Sequence, residues 1–220
     1  MNVKTNIHLK HSHIKSDFDL EMKKMIKKTP KVNRIDTLAD TKYLKLYNAE
    51  YTNKNGDMRN WTIASRKELG TIKNKFFKNT DDKIDAVVMV ATHIEENKIV
   101  IIRQFRVPLN GYVYELPAGL IDKGEDLETT VRRELKEETG LQLVEIDYEK
   151  TKKKTYISSG MTDESVALVY CSCTGEISKE YLEADEDIEV FLMSKEDGRK
   201  LIKSEENIDI KALLILQNII

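Results

Sequence analysis

The chain has 220 residues, of which 40% are hydrophobic and 34% are charged, and its basic and acidic side chains nearly cancel to a net charge of -2. This length suffices for one large domain, or for one medium domain with a smaller attachment, and the balanced charge argues against a dedicated nucleic-acid-binding protein. Because no apolar run approaches the ~18 residues of a membrane helix, and because residues 1–15 lack the apolar core of a signal peptide, we expect a cytoplasmic protein without a membrane span.

Residues 1–80 predict a short helix followed by a small β-rich region. Apolar residues recur at helical spacing within Phe18–Ile26, which indicates an amphipathic helix. Residues 43–51 and 58–66 are typical of two strands, and the Asn-Gly pair between them is a strong signal for a hairpin turn. We therefore expect an N-terminal helix and antiparallel β region at 1–80 and the main domain at 81–220.

The main domain is expected to combine a mixed sheet with helices. Strands are predicted at residues 86–91, 99–102 and 112–116, near 143 and 156, and at 166–173 and 188–193. Helices are predicted at residues 127–139, where Gly140 provides a stop, and at 195–203 and 208–220. Since strands and helices do not alternate regularly, the predicted fold class is α+β with a mixed sheet.

The helix predicted at 127–139 carries glutamates on its apolar side. At about 100° per residue, Glu138 falls inside the apolar stripe around Val131, and Glu134 borders that stripe. Glu134 and Glu138 are an i,i+4 pair of like charge turned toward the protein body, so something must compensate their repulsion. With Glu137 beside them, three oxygen donors lie on one helical turn, which suits a hard divalent cation such as Mg²⁺.

These residues belong to a longer pattern. Its fixed positions are Gly119, Glu125 and the run Arg133-Glu134-Leu135-Lys136-Glu137-Glu138-Thr139-Gly140-Leu141. They match every fixed position of GX5EX7REUXEEXGU, with U aliphatic, and the chain thereby resembles the Nudix hydrolases. Chance would give this match with a probability on the order of 10⁻⁷. The resemblance implies the Nudix fold, a mixed β-sheet sandwiched between helices, and hydrolysis of a nucleoside diphosphate linked to another moiety.

The resemblance also implies roles for the box residues. The metal ligands would be Glu134, Glu137, Glu138 and the carbonyl oxygen of Ala118. Glu125 and Arg133 would brace the loop against the helix. Metal ions suit this chemistry because they neutralise the pyrophosphate, orient it for in-line attack and lower the pKa of the attacking water. Mg²⁺ is the expected cofactor, with Mn²⁺ as the alternative.

Segments outside the box are most similar to the ADP-ribose pyrophosphatase branch of the family. Segments 103–106 and 114–119 resemble the run into the catalytic loop of that branch, which implies substrate binding by Gly119 and phosphate binding by Arg106, whose guanidinium can fork onto phosphate oxygens. Substrate-binding residues carried over from the N-terminal region are Tyr43, Trp61 and Arg66. The two aromatic residues would stack on adenine, with core packing in the hairpin as an equally weighted alternative.

Two glutamates are candidates for the general base. Glu164 lies in a segment after the box that resembles the loop that supplies this base in bacterial members, and it is the first choice. Glu186 lies in a second acidic loop used by other members, with a solvated surface loop as the alternative interpretation. Ser159 departs from the proline that the branch usually carries before the glycine of the loop after the box, which weakens the assignment to ADP-ribose specifically.

The leading expectation is Mg²⁺-dependent hydrolysis of ADP-ribose to AMP and ribose 5-phosphate. The alternatives are the same reaction on a UDP-sugar, GDP-mannose, NADH or FAD, or binding of ADP-ribose as a sensor without hydrolysis. The expected partner is therefore a small nucleotide. The resemblance also implies a homodimer that exchanges its N-terminal regions.

Overall fold

The computed structural model describes residues 30–80, 83–184 and 186–219. The chain forms two compact units, with the boundary between Thr80 and Asp81. The helix predicted within Phe18–Ile26 lies outside the described residues. None of the helices within the described ranges has the length and apolar character needed to span a bilayer.

The first unit is a three-stranded antiparallel sheet with one helix. Its elements are β1 (Lys31–Asp40), β2 (Lys45–Thr52), β3 (Met58–Ser65) and α1 (Leu69–Lys78), with strand order β1-β2-β3. The predicted hairpin is confirmed: Oδ1 of Asn53 accepts from the N–H groups of Asn55 and Asp57, and Gly56 adopts φ 89°. A small core is formed by Ile35, Tyr47, Ala49 and Ile72.

The second unit is a seven-stranded mixed sheet with helices on both faces. Its strands are β4 (Ala86–His93), β5 (Lys98–Arg106), β6 (Gly111–Glu115), β7 (Ala118–Leu120), β8 (Gln142–Tyr156), β9 (Ser165–Thr174) and β10 (Ile188–Met193). The main path runs β10-β5-β4-β9-β8, while β6 pairs with β5 and β7 pairs with β4. The pairing of β4 with β9 is parallel, and the other pairings are antiparallel.

Three helices cover this sheet: α2 (Leu127–Thr139), α3 (Lys195–Ile202) and α4 (Ile210–Ile219). The central strand β4 is apolar on both sides because it faces helices on both sides. Met89 and its neighbours pack against Val131 of α2, and Val90 belongs to the opposite core with Leu201 of α3 and Leu216 of α4. The predicted α+β fold with a sheet between helices is confirmed.

Several predicted bounds differ from those observed. The stretches near 143 and 156 belong to one long strand, β8, whose register against β9 is interrupted by irregularities. The last helix begins at Ile210 rather than at 208. The predictions also lacked β1, along which only Ile35 is buried, and α1, although Leu69, Ile72 and Phe76 of α1 recur at helical spacing and pack in the small core.

Candidate active site

Helix α2 is fixed at both ends by its own sequence. At its start, the side chain of Asp126 accepts a hydrogen bond from the Thr129 N–H at 2.8 Å, which caps the helix. At its end, Gly140 adopts φ 79°, and its N–H donates to the Lys136 carbonyl. A Cβ atom on Gly140 would lie 2.5 Å from the backbone nitrogen of Ser178, so glycine is required there on two counts.

The three box glutamates differ sharply in exposure. Glu138 is only 3% exposed, and one of its oxygens accepts from the Ala118 N–H at 2.9 Å. The Glu134 side chain is 12% exposed and that of Glu137 is 37% exposed. Burial raises the pKa of Glu138 well above the ordinary glutamate value, and burial also raises the pKa of Glu134. The prediction that Glu138 faces the protein body is confirmed.

Arg133 joins the loop before the helix to the helix itself. Its guanidinium forks onto both oxygens of Glu125, with both nitrogen–oxygen distances 2.9 Å. One of its terminal nitrogens also donates to Glu134 at 2.8 Å and to Glu137 at 2.9 Å. The guanidinium hydrogen bonds lower the pKa of Glu125 to about 2.

This link predicts a specific pattern of acid sensitivity. Because the pKa of Glu125 is lower in the folded chain than the ordinary value of 4.5, its ionised form adds stability that is complete above pH 4.5 and is lost as pH falls toward about 2. We expect the free energy of unfolding of Glu125→Gln to be lower than that of the wild type at pH 7, and the difference to shrink below pH 4.5. Urea unfolding at several pH values measures this difference. A constant difference from pH 7 to pH 3 would contradict the prediction.

Gly119 lies directly under the carboxylate of Glu134. A Cβ atom on Gly119 would lie 1.8 Å from Cδ and 2.1 Å from each carboxylate oxygen of Glu134. Strand β7, which carries Gly119, pairs with the central strand β4, so its backbone has little freedom to withdraw. The glycine at this position therefore sets where the Glu134 carboxylate can stand.

We expect Gly119→Ala to lower kcat by roughly 10²-fold, because the added methyl group displaces the Glu134 carboxylate by more than an ångström. The fold is expected to survive, since the clash falls on the end of one side chain. Steady-state kinetics and thermal unfolding measure the two effects. Gly70→Ala in α1 is the matched control, because a Cβ atom there meets nothing within 4 Å. Full activity in Gly119→Ala would show that the position of Glu134 does not matter.

Strand β5 contributes a wall opposite the helix. Arg106 is held by a two-pronged ion pair with Glu115 of β6, at 2.9 and 2.7 Å, and this pair raises the pKa of Arg106. Gln104, two residues earlier, extends from the same face of the strand, and its buried Oε1 atom has no hydrogen-bond partner among the described residues. A cation and an unpaired acceptor thus stand on one side of the site.

Helix α2, strands β5 and β7 and the adjoining loops line a cavity of about 310 Å³. Its lining consists of Gln104, Arg106, Ala118, Gly119, Leu120, Asp122, Arg133, Glu134, Glu137, Glu138, Glu183 and Glu186. The structure therefore brings together the predicted box residues, Arg106 and Glu186. Glu125 stands behind Arg133, outside the lining.

Glu164 immediately precedes β9 and is not among the described residues that line the cavity. Tyr43, Trp61 and Arg66 belong to the first unit. Tyr43 is 67% exposed and Trp61 is 52% exposed, so neither is a core residue of the hairpin. Their substrate-binding roles stay predictions.

Five lining or supporting residues were absent from the sequence prediction: Gln104, Leu120, Asp122, Glu183 and Glu115. Gln104 carried a usable signal, because it shares a strand face with Arg106. Glu115 also carried one, because it lies in the segment 114–119 that the resemblance had singled out. Asp122 and Glu183 lie in loops, where no periodicity indicates direction.

The donor set fits a hard divalent cation in its chemistry. All candidate side-chain donors are carboxylate oxygens, and two of these carboxylates have a pKa raised by burial, a cost that a cation offsets. Within the described ranges, however, no three His, Cys, Asp or Glu side chains are grouped closely enough to hold a metal ion. One nitrogen of Arg133 donates to both Glu134 and Glu137. A cation in the cavity would compete with Arg133 for both.

Comparison with known proteins agrees with this geometry. The NUDIX domain family matches residues 82–213, which include the whole cavity lining. The chain belongs to the Nudix family. It is accordingly a Nudix hydrolase, and this prediction from the box is confirmed.

Individual relatives indicate which branch of the Nudix family the chain resembles. An ADP-ribose pyrophosphatase of Bacillus subtilis is 38% identical over 141 residues, which cover 61% of this chain and 72% of that protein. A GDP-mannose pyrophosphatase of an Enterobacter species is 30% identical over 195 residues, which cover 83% of this chain and 91% of that protein. The solved structure of an ADP compounds hydrolase covers 87% of this chain and 94% of its own, with a TM-score of 0.61 and 16% identity, and it supports the fold alone. The predicted similarity to the ADP-ribose pyrophosphatase branch is confirmed.

Proposed function

We propose that this Nudix hydrolase cleaves the pyrophosphate bond of ADP-ribose in a Mg²⁺-dependent reaction and releases AMP and ribose 5-phosphate. The observation that carries the proposal is the composition of one cavity. Arg106 stands on one wall, the box carboxylates Glu134 and Glu138 on another, and Glu186 enters from a loop. The similarity to the Bacillus subtilis ADP-ribose pyrophosphatase supports the choice of substrate.

Arg106 is suited to hold a phosphate of the substrate. Its ion pair with Glu115 fixes the guanidinium, yet the arginine side chain is still 41% exposed, so part of its surface stays open to the cavity. A fixed guanidinium loses little conformational entropy when it binds an anion. We therefore assign Arg106 to orienting the pyrophosphate.

The carboxylates Glu134, Glu137 and Glu138 would hold Mg²⁺, together with the carbonyl oxygen of Ala118. When bound, the cation supplies charge neutralisation for the pyrophosphate and acidifies the attacking water. Glu138 is the most buried of the three, and one of its carboxylate oxygens accepts a hydrogen bond from the Ala118 N–H. Arg133 and Glu125 keep the loop and the helix in register around them.

We assign the general base to Glu186, because it lines the cavity that holds the other groups. Water attacks one phosphorus, Glu186 accepts its proton, and the bond from that phosphorus to the bridging oxygen breaks. The bridging oxygen leaves with the other phosphate. Glu164, the first choice from the sequence, has no comparable placement in its favour.

A substrate panel tests the proposal. The purified protein is given ADP-ribose, UDP-glucose, GDP-mannose, NADH and FAD, with and without Mg²⁺, and the products are resolved by ion-exchange chromatography. We expect the highest kcat/KM for ADP-ribose, with AMP and ribose 5-phosphate as products. Tight binding of ADP-ribose without turnover would replace the proposal with a sensor.

GDP-mannose is the second candidate substrate. The GDP-mannose pyrophosphatase of Enterobacter matches this chain over a longer stretch than the Bacillus subtilis protein does, 195 residues against 141. Its match therefore covers more of the residues outside the box. A higher kcat/KM for GDP-mannose than for ADP-ribose in the panel would select this alternative and leave the carboxylate assignments unchanged.

A further inference from the structure

Local hydrogen bonds join Glu183 and Glu186, two described residues of the loop that carries Glu186 into the cavity. The Glu183 N–H donates to a carboxylate oxygen of Glu186 at 3.0 Å, and the Glu186 N–H donates back to the Glu183 carbonyl at 3.1 Å. Both glutamates line the cavity. These local bonds shape the loop but do not attach it to the sheet.

The attachment is made by the next residue, Asp187. Its carboxylate accepts a hydrogen bond from the hydroxyl of Tyr112 on β6. Its carbonyl accepts from the Phe105 N–H of β5 at 3.3 Å. Ile188, which follows, is fully buried and begins β10. The loop is thus tied to two neighbouring strands immediately after Glu186.

Tyr112 is itself held in place. Its ring meets Phe105 edge-on with the centroids 5.5 Å apart, and the Arg103 guanidinium lies 4.1 Å from its centroid. Arg103 is fixed in turn by an ion pair with Glu189 at 3.0 Å. The hydrogen bond to Asp187 raises the pKa of Tyr112. These contacts hold the Tyr112 side chain in position to bind Asp187.

The two sides of β5 separate Tyr112 from the cavity. Gln104 and Arg106 line the cavity, whereas Phe105 contacts Tyr112 on the other face. Of the consecutive residues Glu186 and Asp187, Glu186 lines the cavity and Asp187 binds Tyr112 on the other face. Because consecutive side chains point to opposite faces, fixing Asp187 on one face directs the Glu186 side chain into the cavity.

We propose that the hydrogen bond between Tyr112 and Asp187 is a latch that holds the acidic loop so that Glu186 faces the reacting water. Tyr112 and Asp187 are positioning residues, since neither lines the cavity. The proposal rests on the proposed function, in which Glu186 is the base. Removal of the latch lowers kcat with little effect on KM, because substrate-binding groups such as Arg106 keep their contacts.

The test uses Tyr112→Phe, which deletes the hydroxyl and keeps the ring. Tyr114→Phe is the matched control: it is on the same strand, and its ring packs on Phe191 instead. We expect Tyr112→Phe to lower kcat about 10-fold with KM changed less than about twofold, and Tyr114→Phe to leave both unchanged. In a Glu186→Gln background, Tyr112→Phe should lower kcat no further, because the base it positions is gone.

Asp187 supplies a rescue measurement. Asp187→Asn keeps an oxygen that accepts from Tyr112, so we expect more activity in Asp187→Asn than in Asp187→Ala. Hydrogen exchange adds a measurement that does not depend on turnover. In Tyr112→Phe, peptides covering residues 183–188 should exchange at least about threefold faster, while peptides of α2 should not change.

The outcomes separate the latch from the proposed function. If the wild type hydrolyses no substrate in the panel, the proposed function fails, and hydrogen exchange alone shows whether Tyr112 holds the loop. If Tyr112→Phe matches Tyr114→Phe in both kcat and exchange, the latch is wrong. It is also wrong if Tyr112→Phe lowers kcat by the same factor with and without Glu186, since its action would then not pass through that residue.

Discussion

Replacement of Glu138 by glutamine is expected to lower kcat by roughly 10³-fold or more, because the most buried carboxylate of the cavity is lost as a cation ligand. The fold should not suffer. The amide oxygen of glutamine can still accept from the Ala118 N–H, which now donates to Glu138 at 2.9 Å. Steady-state kinetics at saturating Mg²⁺, together with thermal unfolding, measure the two effects.

Glu138→Gln is also expected to leave the folded chain at least as stable as the wild type at alkaline pH. Burial raises the pKa of Glu138, so the folded chain holds its proton more tightly than the unfolded chain, and this contribution to stability is lost as pH rises above the ordinary glutamate value. Without added metal, the unfolding midpoint of Glu138→Gln at pH 8 should therefore equal or exceed that of the wild type.

Glu128→Gln is the control for Glu138→Gln. Glu128 is on the same helix, but its side chain is 52% exposed and pairs with Arg132 at 3.1 Å on the helix surface. The control variant should keep wild-type kinetics. A rate in Glu138→Gln close to that of Glu128→Gln would remove Glu138 from the metal site.

Replacement of Glu186 by glutamine is expected to lower kcat by about 10²–10⁴-fold, because the attacking water loses its proton acceptor. KM should change little, since phosphate binding is assigned to Arg106. Steady-state kinetics of Glu186→Gln measure kcat and KM separately.

Glu164→Gln is the direct comparison, since the two glutamates were the alternatives that the sequence left open. We expect Glu164→Gln to keep most of its rate, because Glu164 does not line the cavity in the described residues. The opposite pattern, with the rate lost only in Glu164→Gln, would move the base to the loop before β9 and would also overturn the latch.

Helix α2 shows what the sequence predicts well. Its bounds were correct at both ends, because the apolar period around Val131 and the stop at Gly140 are local signals. The inward direction of Glu138 followed from the same period. Strand β1 shows the opposite case, since only Ile35 is buried along its length and its pairing with β2 is a tertiary contact.

The loop residues of the cavity were harder to predict for a physical reason. A helix or strand fixes the direction of each side chain by its period, but a loop does not, so the sequence could not decide between Glu164 and Glu186. Glu183 and Asp122 were not predicted as cavity residues for the same reason. The Tyr112–Asp187 bond joins residues 75 positions apart, and nothing local to either residue indicates the other.

The alternation along β5 also governs which changes in chain length the protein can accept. Deletion of one residue within Lys98–Arg106 would exchange the two faces of the strand, so that aromatic surface would enter the cavity and the phosphate-binding arginine would leave it. The exposed turn at residues 94–97, which joins β4 to β5, contributes no cavity residue, and side chains in a turn do not alternate between two faces. Insertions are therefore expected to preserve activity in that turn and to abolish it within β5.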